Sequence, residues 1–201
     1  MTISESSIIA SAKLDSVKEQ YYWYDHQHAI AILTLDYPEF LGEICDVLLS
    51  FKLTLDQIRK AGGNESEIPK SFSALLRPLG WVERKLVAKL VVDENTVSSD
   101  THKVDYVKGE VAFDLEWNAK DQTFDRDLYA FRAFFEYRRI AVAILITRDE
   151  SLNQIFKGEG LYGKYGASTT HIDKLIPRLQ AGRSGGCPIL VFGITPKQVV
   201  S

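Results

Sequence analysis

HKVDYVKGEVAFDLEWN, residues 102–118, decides how this chain is read. From position 110 onward, Val111, Phe113, Leu115 and Trp117 alternate with Glu110, Ala112, Asp114 and Glu116. A period of two predicts a half-buried strand over 110–117. It sets Asp114 and Glu116 on one face, about 7 Å apart along the strand. The large apolar side chains anchor the other face. Asp105 stands nine residues before Asp114, across a tight turn at Lys108-Gly109, and can fold back beside the pair. Three carboxylates on a rigid strand offer the oxygen ligands that a hard divalent cation such as Mg²⁺ requires.

Working outward, the elements alternate between strand and helix. Residues 1–20 are polar, and we expect them to be partly helical or frayed. Ala29–Leu35 (AIAILTL) reads as a strand, broken at Asp36-Tyr37-Pro38. Pro38 suits a first helical turn, and Phe40, Ile44, Val47, Leu48 and Phe51 recur at helical spacing. Residues 53–60 extend this helix or form a second one. Ala61-Gly62-Gly63-Asn64 is a breaker, followed by a polar loop and a short helix ending near Pro78-Leu79-Gly80. Trp81–Val92 is strand-like, and 93–104 is a polar connector. After the central strand, Asp125 or Asp127 is placed to cap a helix with Leu128, Phe131, Phe134 and Phe135 on its apolar face. Ile140–Thr147 (IAVAILIT) is continuously apolar, as in a strand buried on both faces. Residues 149–170 are rich in glycine. His171–Leu179 reads as a helix carrying Pro177, and Pro188–Thr195 as a last buried strand. The order predicts a single α/β domain over 1–201, a mixed central sheet flanked by helices.

The 201 residues suffice for one substantial core, and 45% hydrophobic with 25% charged residues is ordinary for a globular protein. No apolar run reaches the roughly 18–20 residues of a membrane span. The start of the chain lacks a basic segment followed by an apolar block. Cys45 and Cys187 are far apart, and Cys45 sits in an amphipathic pattern. Reduced thiols and a cytoplasmic location are expected. The net charge of −3 argues only weakly against nucleic acid, because local basic surface is what counts.

An alternation of acidic residues is most often the solvated face of an edge strand. Here a helix and then a wholly apolar strand follow, which places 110–117 at or beside the middle of the sheet. Unpaired carboxylates are costly there unless they bind a cation. His26 and His28, two apart, would share one strand face, but no third ligand lies near them, and surface or hydrogen-bonded histidines are the better reading. The Gly158/Gly163 spacing lacks the Lys-Ser/Thr of a phosphate loop.

The segment VDYVKGEVAFDLEWN resembles the type II restriction endonucleases of the BglII and BstYI kind, related to BamHI and the wider PD-(D/E)xK nucleases. GWVER, IAVAILITR and GGCPILVFGITP resemble their upstream Gly-Trp segment, following central strand and C-terminal strand. The similarity spans Tyr24 to Pro196. Asp114 stands where these relatives more often have Glu, and Glu116 where many have Gln or Lys. The resemblance implies a PD-(D/E)xK core and Mg²⁺-dependent cleavage of double-stranded DNA at a short palindromic site, GATC-centred as in relatives. It implies 5′-phosphate and 3′-hydroxyl ends, a homodimer, and a cognate methyltransferase encoded nearby. Asp105 and Asp114, with the Leu115 carbonyl, would hold metal, and Glu116 would hold the attacking water. Glu83 is an auxiliary candidate or a surface residue, and Trp81 belongs to the core. Asn118 and Lys120 are candidates for the scissile phosphate. The glycine-rich loop offers Lys157, Lys164, Ser168, Thr169, Thr170 and His171 to the groove, with Lys174, Arg178 and Arg183 beyond it. The apolar 128–139 helix is the candidate dimer surface. Two other readings compete: a PD-(D/E)xK nuclease of repair or defence without strict specificity, and a catalytically silent DNA-binding module.

Overall fold

A computed structural model describes residues 3–60, 67–87, 89–92, 95–98 and 102–200, so the breaker at 61–64 lies outside the described residues. The chain opens with α1 (Glu5–Lys18), β1 (Tyr22–His26), α2 (Ala29–Asp36), α3 (Pro38–Ser50), β2 (Leu53–Thr54), α4 (Leu55–Arg59) and α5 (Glu67–Leu76). Four strands follow before the central one: β3 (Val82–Leu86), β4 (Lys89–Val92), β5 (Asn95–Ser98) and β6 (His102–Lys108). The rest comprises β7 (Val111–Leu115), α6 (Thr123–Glu136), β8 (Val142–Arg148), α7 (Asn153–Gly158), α8 (Ile172–Gln180), β9 (Ile189–Ile194) and β10 (Val199–Val200).

Six strands form the main sheet in the order β1-β9-β8-β7-β6-β3. Strands β7, β8 and β9 run parallel, and the outer pairings are antiparallel. A parallel centre buries both faces, and all residues of β7, β8 and β9 are buried. Val111, Phe113, Leu115, Ile144 and Phe192 pack with α1, α3 and α5 on one face. Ala112, Leu145 and Val191 pack with Leu128 and Phe131 of α6 and Leu175 of α8 on the other. The central strand is therefore buried on both sides, not half-buried as its alternation predicted. The alternation instead separates a bulky face from one left to Ala112 and the carboxylates, against α6.

Residues 29–35, expected as a strand, are helix α2. Ala29 and Leu33, four apart, are its buried positions. The helix starts from left-handed backbone at Gln27 and His28, and the Asp25 carboxylate accepts the Ile30 N–H at 3.0 Å. That turn also separates the two histidines. His26 ends β1, with Nε2 3.1 Å from the Ser184 hydroxyl, whereas His28 is exposed at the start of α2. The N-terminal segment is a full helix, α1, burying Ala10, Leu14 and Val17. Trp81–Val92 is split into β3 and β4, and the expected connector 93–104 contributes β5 and the start of β6.

Two glycines fix the scaffold of the site. Gly109 joins β6 to β7 at φ 56°, and a Cβ there would lie 2.7 Å from the Phe40 ring. At Gly193 of β9 a Cβ would lie 2.8 Å from Ile172, so glycine lets the start of α8 approach the sheet.

Candidate active site

The site is assembled by β6, β7 and α6. On β7 the even-numbered residues point toward α6, so Asp114 and Glu116 follow Ala112 along that face. Asp114 is 4% exposed. Strand β6 pairs with β7 only from Lys108↔Val111 to Tyr106↔Phe113. Beyond that point β6 bulges: Val82 and Arg84 of β3 pair with Val107 and Val104, so Glu83 alone on β3 opposes Asp105 and Tyr106 on β6. A bulge re-aims a side chain next to a site. The Asp105 N–H donates to the Asp114 carboxylate at 2.7 Å, and Asp105 stands at the open mouth of the cleft. The trio predicted from sequence is thus brought together.

A fourth carboxylate joins it. Asp127, expected as a possible helix cap, lies inside α6 and is 4% exposed. The cap position is Gln122, with no side-chain bond. Asp127 Oδ2 is buried without a hydrogen-bond donor. Glu116 and Asp127 lie close enough to share a proton. Burial pushes both carboxyls above the carboxylate range, and Glu116 is raised further by the Asp127 charge. Burial raises Asp114 most, aided by Asp127 and Asp105. Withdrawal from bulk water also raises Asp105, while Arg126 pulls it the other way.

Arg126 is the counter-charge. Its guanidinium donates to Asp127 Oδ1 at 3.0 and 3.1 Å and lies 3.4 Å from Glu116. The cleft, about 370 Å³, is lined by Lys85, Lys103, Asp105, Asp114, Arg126, Asp127 and Ala130. Arg126, Lys85 and Lys103 carry three positive charges against four acids, and Lys103 is already paired with Glu83. An all-oxygen donor set with an orphaned buried oxygen fits a hard divalent cation. The Leu115 carbonyl has the right direction for such a set. Since Glu116 N–H bonds to Ile146 of β8 at 2.8 Å, the peptide groups of its neighbour Leu115 face β6 and Asp105.

Other predicted residues are placed as follows. Glu83 on β3 is half-exposed and paired with Lys103 at 2.5 Å, beside Asp105 rather than among the buried acids. Lys120 bridges to Thr169, and Asp121 N–H bonds to the Ser168 carbonyl, which brings Lys120, Ser168 and Thr169 together. The Thr169 hydroxyl is engaged by Arg148 and Gly166. Thr170 and His171 are buried, so their side chains do not lie on the surface. Asn118 donates to the Lys164 carbonyl at 3.3 Å. Lys164 Nζ donates to the carbonyls of Ile58 and Lys60, tying the loop to the end of α4. Lys157 is exposed, 4.9 Å from the Tyr162 ring. Lys108 pairs with Glu43, which also accepts from the buried Trp81. Arg178 and Arg183 pair with Asp125. Arg148 escaped the sequence reading: it is 1% exposed and holds the loop by donating to the Tyr165 carbonyl at 3.0 Å.

Among the described residues no helix is long and apolar enough to cross a membrane. A family model described as "Restriction endonuclease BglII/BglIII" matches residues 21–194. Comparison with curated proteins gives no match.

Proposed function

The chain belongs to the BglII/BglIII restriction endonuclease family and is a site-specific deoxyribonuclease; from that premise we propose that Asp105, Asp114 and Glu116 carry the cleavage and that Mg²⁺ serves it. The observation that carries this reading is the convergence of Asp105, Asp114 and Asp127 on one cleft, joined by the bond from Asp105 N–H to Asp114, with Glu116 against Asp127 beside it. Asp105, Asp114 and the Leu115 carbonyl would hold the ion. When bound, it lowers the pKa of water and offsets charge on the phosphate.

The chain's own groups do the rest. Asp114, fixed by the Asp105 backbone, keeps its oxygens aimed into the cleft. Glu116 stands one strand repeat further on, where it orients a water in line with a phosphate and takes its proton. Asp127 sets the charge of Glu116 through their contact. Glu83 modulates Asp105 from the rim, through Lys103. Attack of that water would leave a 5′-phosphate and a 3′-hydroxyl. Lys120 and Ser168, exposed on paired segments, are offered to DNA along with Lys157. Asn118, Lys164 and Thr169 shape this surface through their bonds, and buried Thr170 and His171 support it from below.

A palindromic, GATC-centred target cut by a homodimer, with a methyltransferase protecting host DNA, completes the proposal, because two-fold protein symmetry matches two-fold DNA symmetry. The buried free thiols Cys45 and Cys187 suit a reducing, cytoplasmic setting.

The test is incubation of purified protein with unmethylated phage DNA and Mg²⁺, beside Asp114→Ala. Discrete fragments that vanish in the variant support the reading, and sequencing their ends gives the site. A smear that depends on Asp114 would remove the palindromic target. Cleavage undiminished in Asp114→Ala would remove the assigned residues.

A further inference from the structure

We propose a second divalent-cation site, made by Glu150, His171 and Asp173 and suited to a borderline transition metal such as Zn²⁺. One ligand atom from each of the three lies within 4.8 Å of the others. They come from two places in the chain. Glu150 follows β8 directly, whereas His171 and Asp173 begin α8. None of them lines the carboxylate cleft.

Two acidic side chains near each other would not make a site. The buried imidazole does. His171 is 5% exposed, and its Nδ1 is buried without a hydrogen-bond partner. That nitrogen lies 3.4 Å from Glu150 Oε1, outside good hydrogen-bond geometry. Leaving a buried polar nitrogen unmatched carries its full desolvation cost, so a group that satisfies it is favoured. The ring also bonds the Ala167 backbone, the kind of second contact that fixes the tautomer of a metal-binding histidine. Glu150 and Asp173 touch each other as well. Two carboxylates in contact repel unless a proton or a cation lies between them.

The chemistry selects the ion. A nitrogen with two carboxylates suits Zn²⁺ better than Mg²⁺, which prefers oxygen and keeps its waters. Zinc ligands lie about 2.0–2.2 Å from the metal. The ligand atoms must therefore close in somewhat, and Glu150, 48% exposed at its side chain, is free to turn. His171 is the fixed point, because Gly193 lets the start of α8 sit directly on the sheet. Water would complete the shell. The bound ion would pin the segment after β8 to the start of α8, next to the 168–170 strip that pairs with Lys120.

The site shares no residue with the proposed nuclease centre, so it is tested with that centre disabled. In an Asp105→Asn/Asp114→Asn protein, calorimetric titration with Zn²⁺ should show one equivalent bound, with a matching rise in thermal midpoint. Co²⁺ should give visible absorption bands that Zn²⁺ abolishes and Mg²⁺ does not. Adding Asp173→Asn or Glu150→Gln should weaken Zn²⁺ binding at least tenfold, and adding His171→Asn should eliminate it. Both carboxylates are exposed, so their variants carry the test should the histidine variant fail to fold. Absence of Zn²⁺ binding in the disabled protein would overturn the proposal, as would binding unchanged by Asp173→Asn and Glu150→Gln.

Discussion

Asp114→Asn should make the metal-free protein more stable while removing its response to Mg²⁺. Asparagine keeps an oxygen to accept the Asp105 N–H, now bonded at 2.7 Å, so the link between β6 and β7 survives. What it removes is a charge buried beside Asp127, Asp105 and Glu116. At neutral pH the natural chain must either bury that charge or take up a proton. Proton uptake costs about 1.4 kcal/mol for each pH unit between the ordinary carboxyl value of about 4 and neutral pH. The penalty that substitution relieves therefore has a ceiling of about 4 kcal/mol. Burying the new amide returns part of it, which leaves a gain of about 1–3 kcal/mol. For a chain of this size that is a rise of roughly 3–10 °C in midpoint.

The pH dependence follows from the direction of the shift. The folded Asp114 carboxyl is raised, so its contribution to stability is fully present below the unfolded value and is lost as pH rises through the folded one. The variant should therefore be the less stable of the two near pH 3.5 to 4 (about the ordinary carboxyl value), where only the buried amide counts, and overtake the natural chain toward neutrality. Mg²⁺ narrows the gap. At ten times its dissociation constant it stabilises the natural chain by about 1.4 kcal/mol and the variant by much less. Thermal melts in chelator and in Mg²⁺, across pH, read all of this. A variant less stable than the natural chain at pH 7 in chelator would refute the reasoning, because Asp114 would then be a satisfied anion. Equal stabilisation of both by Mg²⁺ would remove it as a ligand.

Arg126→Met should lower the Mg²⁺ concentration giving half-maximal cleavage, about fivefold if displacing the guanidinium costs ~1 kcal/mol; a loss of cleavage at saturating Mg²⁺ would instead put this arginine on the DNA. Gly109→Ala should destabilise by about 1–3 kcal/mol in urea unfolding, since φ 56° disfavours a side chain and Phe40 occupies its space. Arg148→Leu should cost about 2–4 kcal/mol by stranding the carbonyl of Tyr165 and removing one of the two partners of the Thr169 hydroxyl. Limited proteolysis should then cut within 157–168, and Arg148→Lys should not restore protection, because an ammonium lacks the planar fork.

Asp114 and Glu116 were legible because one strand's period of two puts them on one face, whatever surrounds it. The burial of β8 and β9 was legible for a related reason: an unbroken apolar run has no polar face to expose. Asp127 was not legible. It enters from α6, 13 residues beyond Asp114, and its place depends on how that helix is turned over the sheet. In sequence it looks like any acid near a helix start. Helix α2 was misread because AIAILTL has Thr34 as its one polar residue, too little to reveal a period, and the deciding signal is the Asp25 carboxylate with two left-handed residues before the helix.

The same limit governs the lysines. Lys164 sits in a run of glycines and reads as a free cation, yet its ammonium closes α4 carbonyls more than a hundred residues away. Arg178 and Arg183 read as a basic stripe, yet Asp125 lies against both. A sequence window counts charges but not their partners. With those cations engaged, Lys120 remains exposed on the strip paired with Thr169 and Lys157 at the end of α7. A net charge of −3 then ceases to argue against DNA binding. Three of the 27 acidic residues line the cleft and Glu116 lies against one of them, where a divalent ion would offset their charge. The field that an approaching phosphate meets is therefore set by whether that ion is present. On this argument metal binding and DNA binding reinforce each other, and neither charge can be read from composition alone.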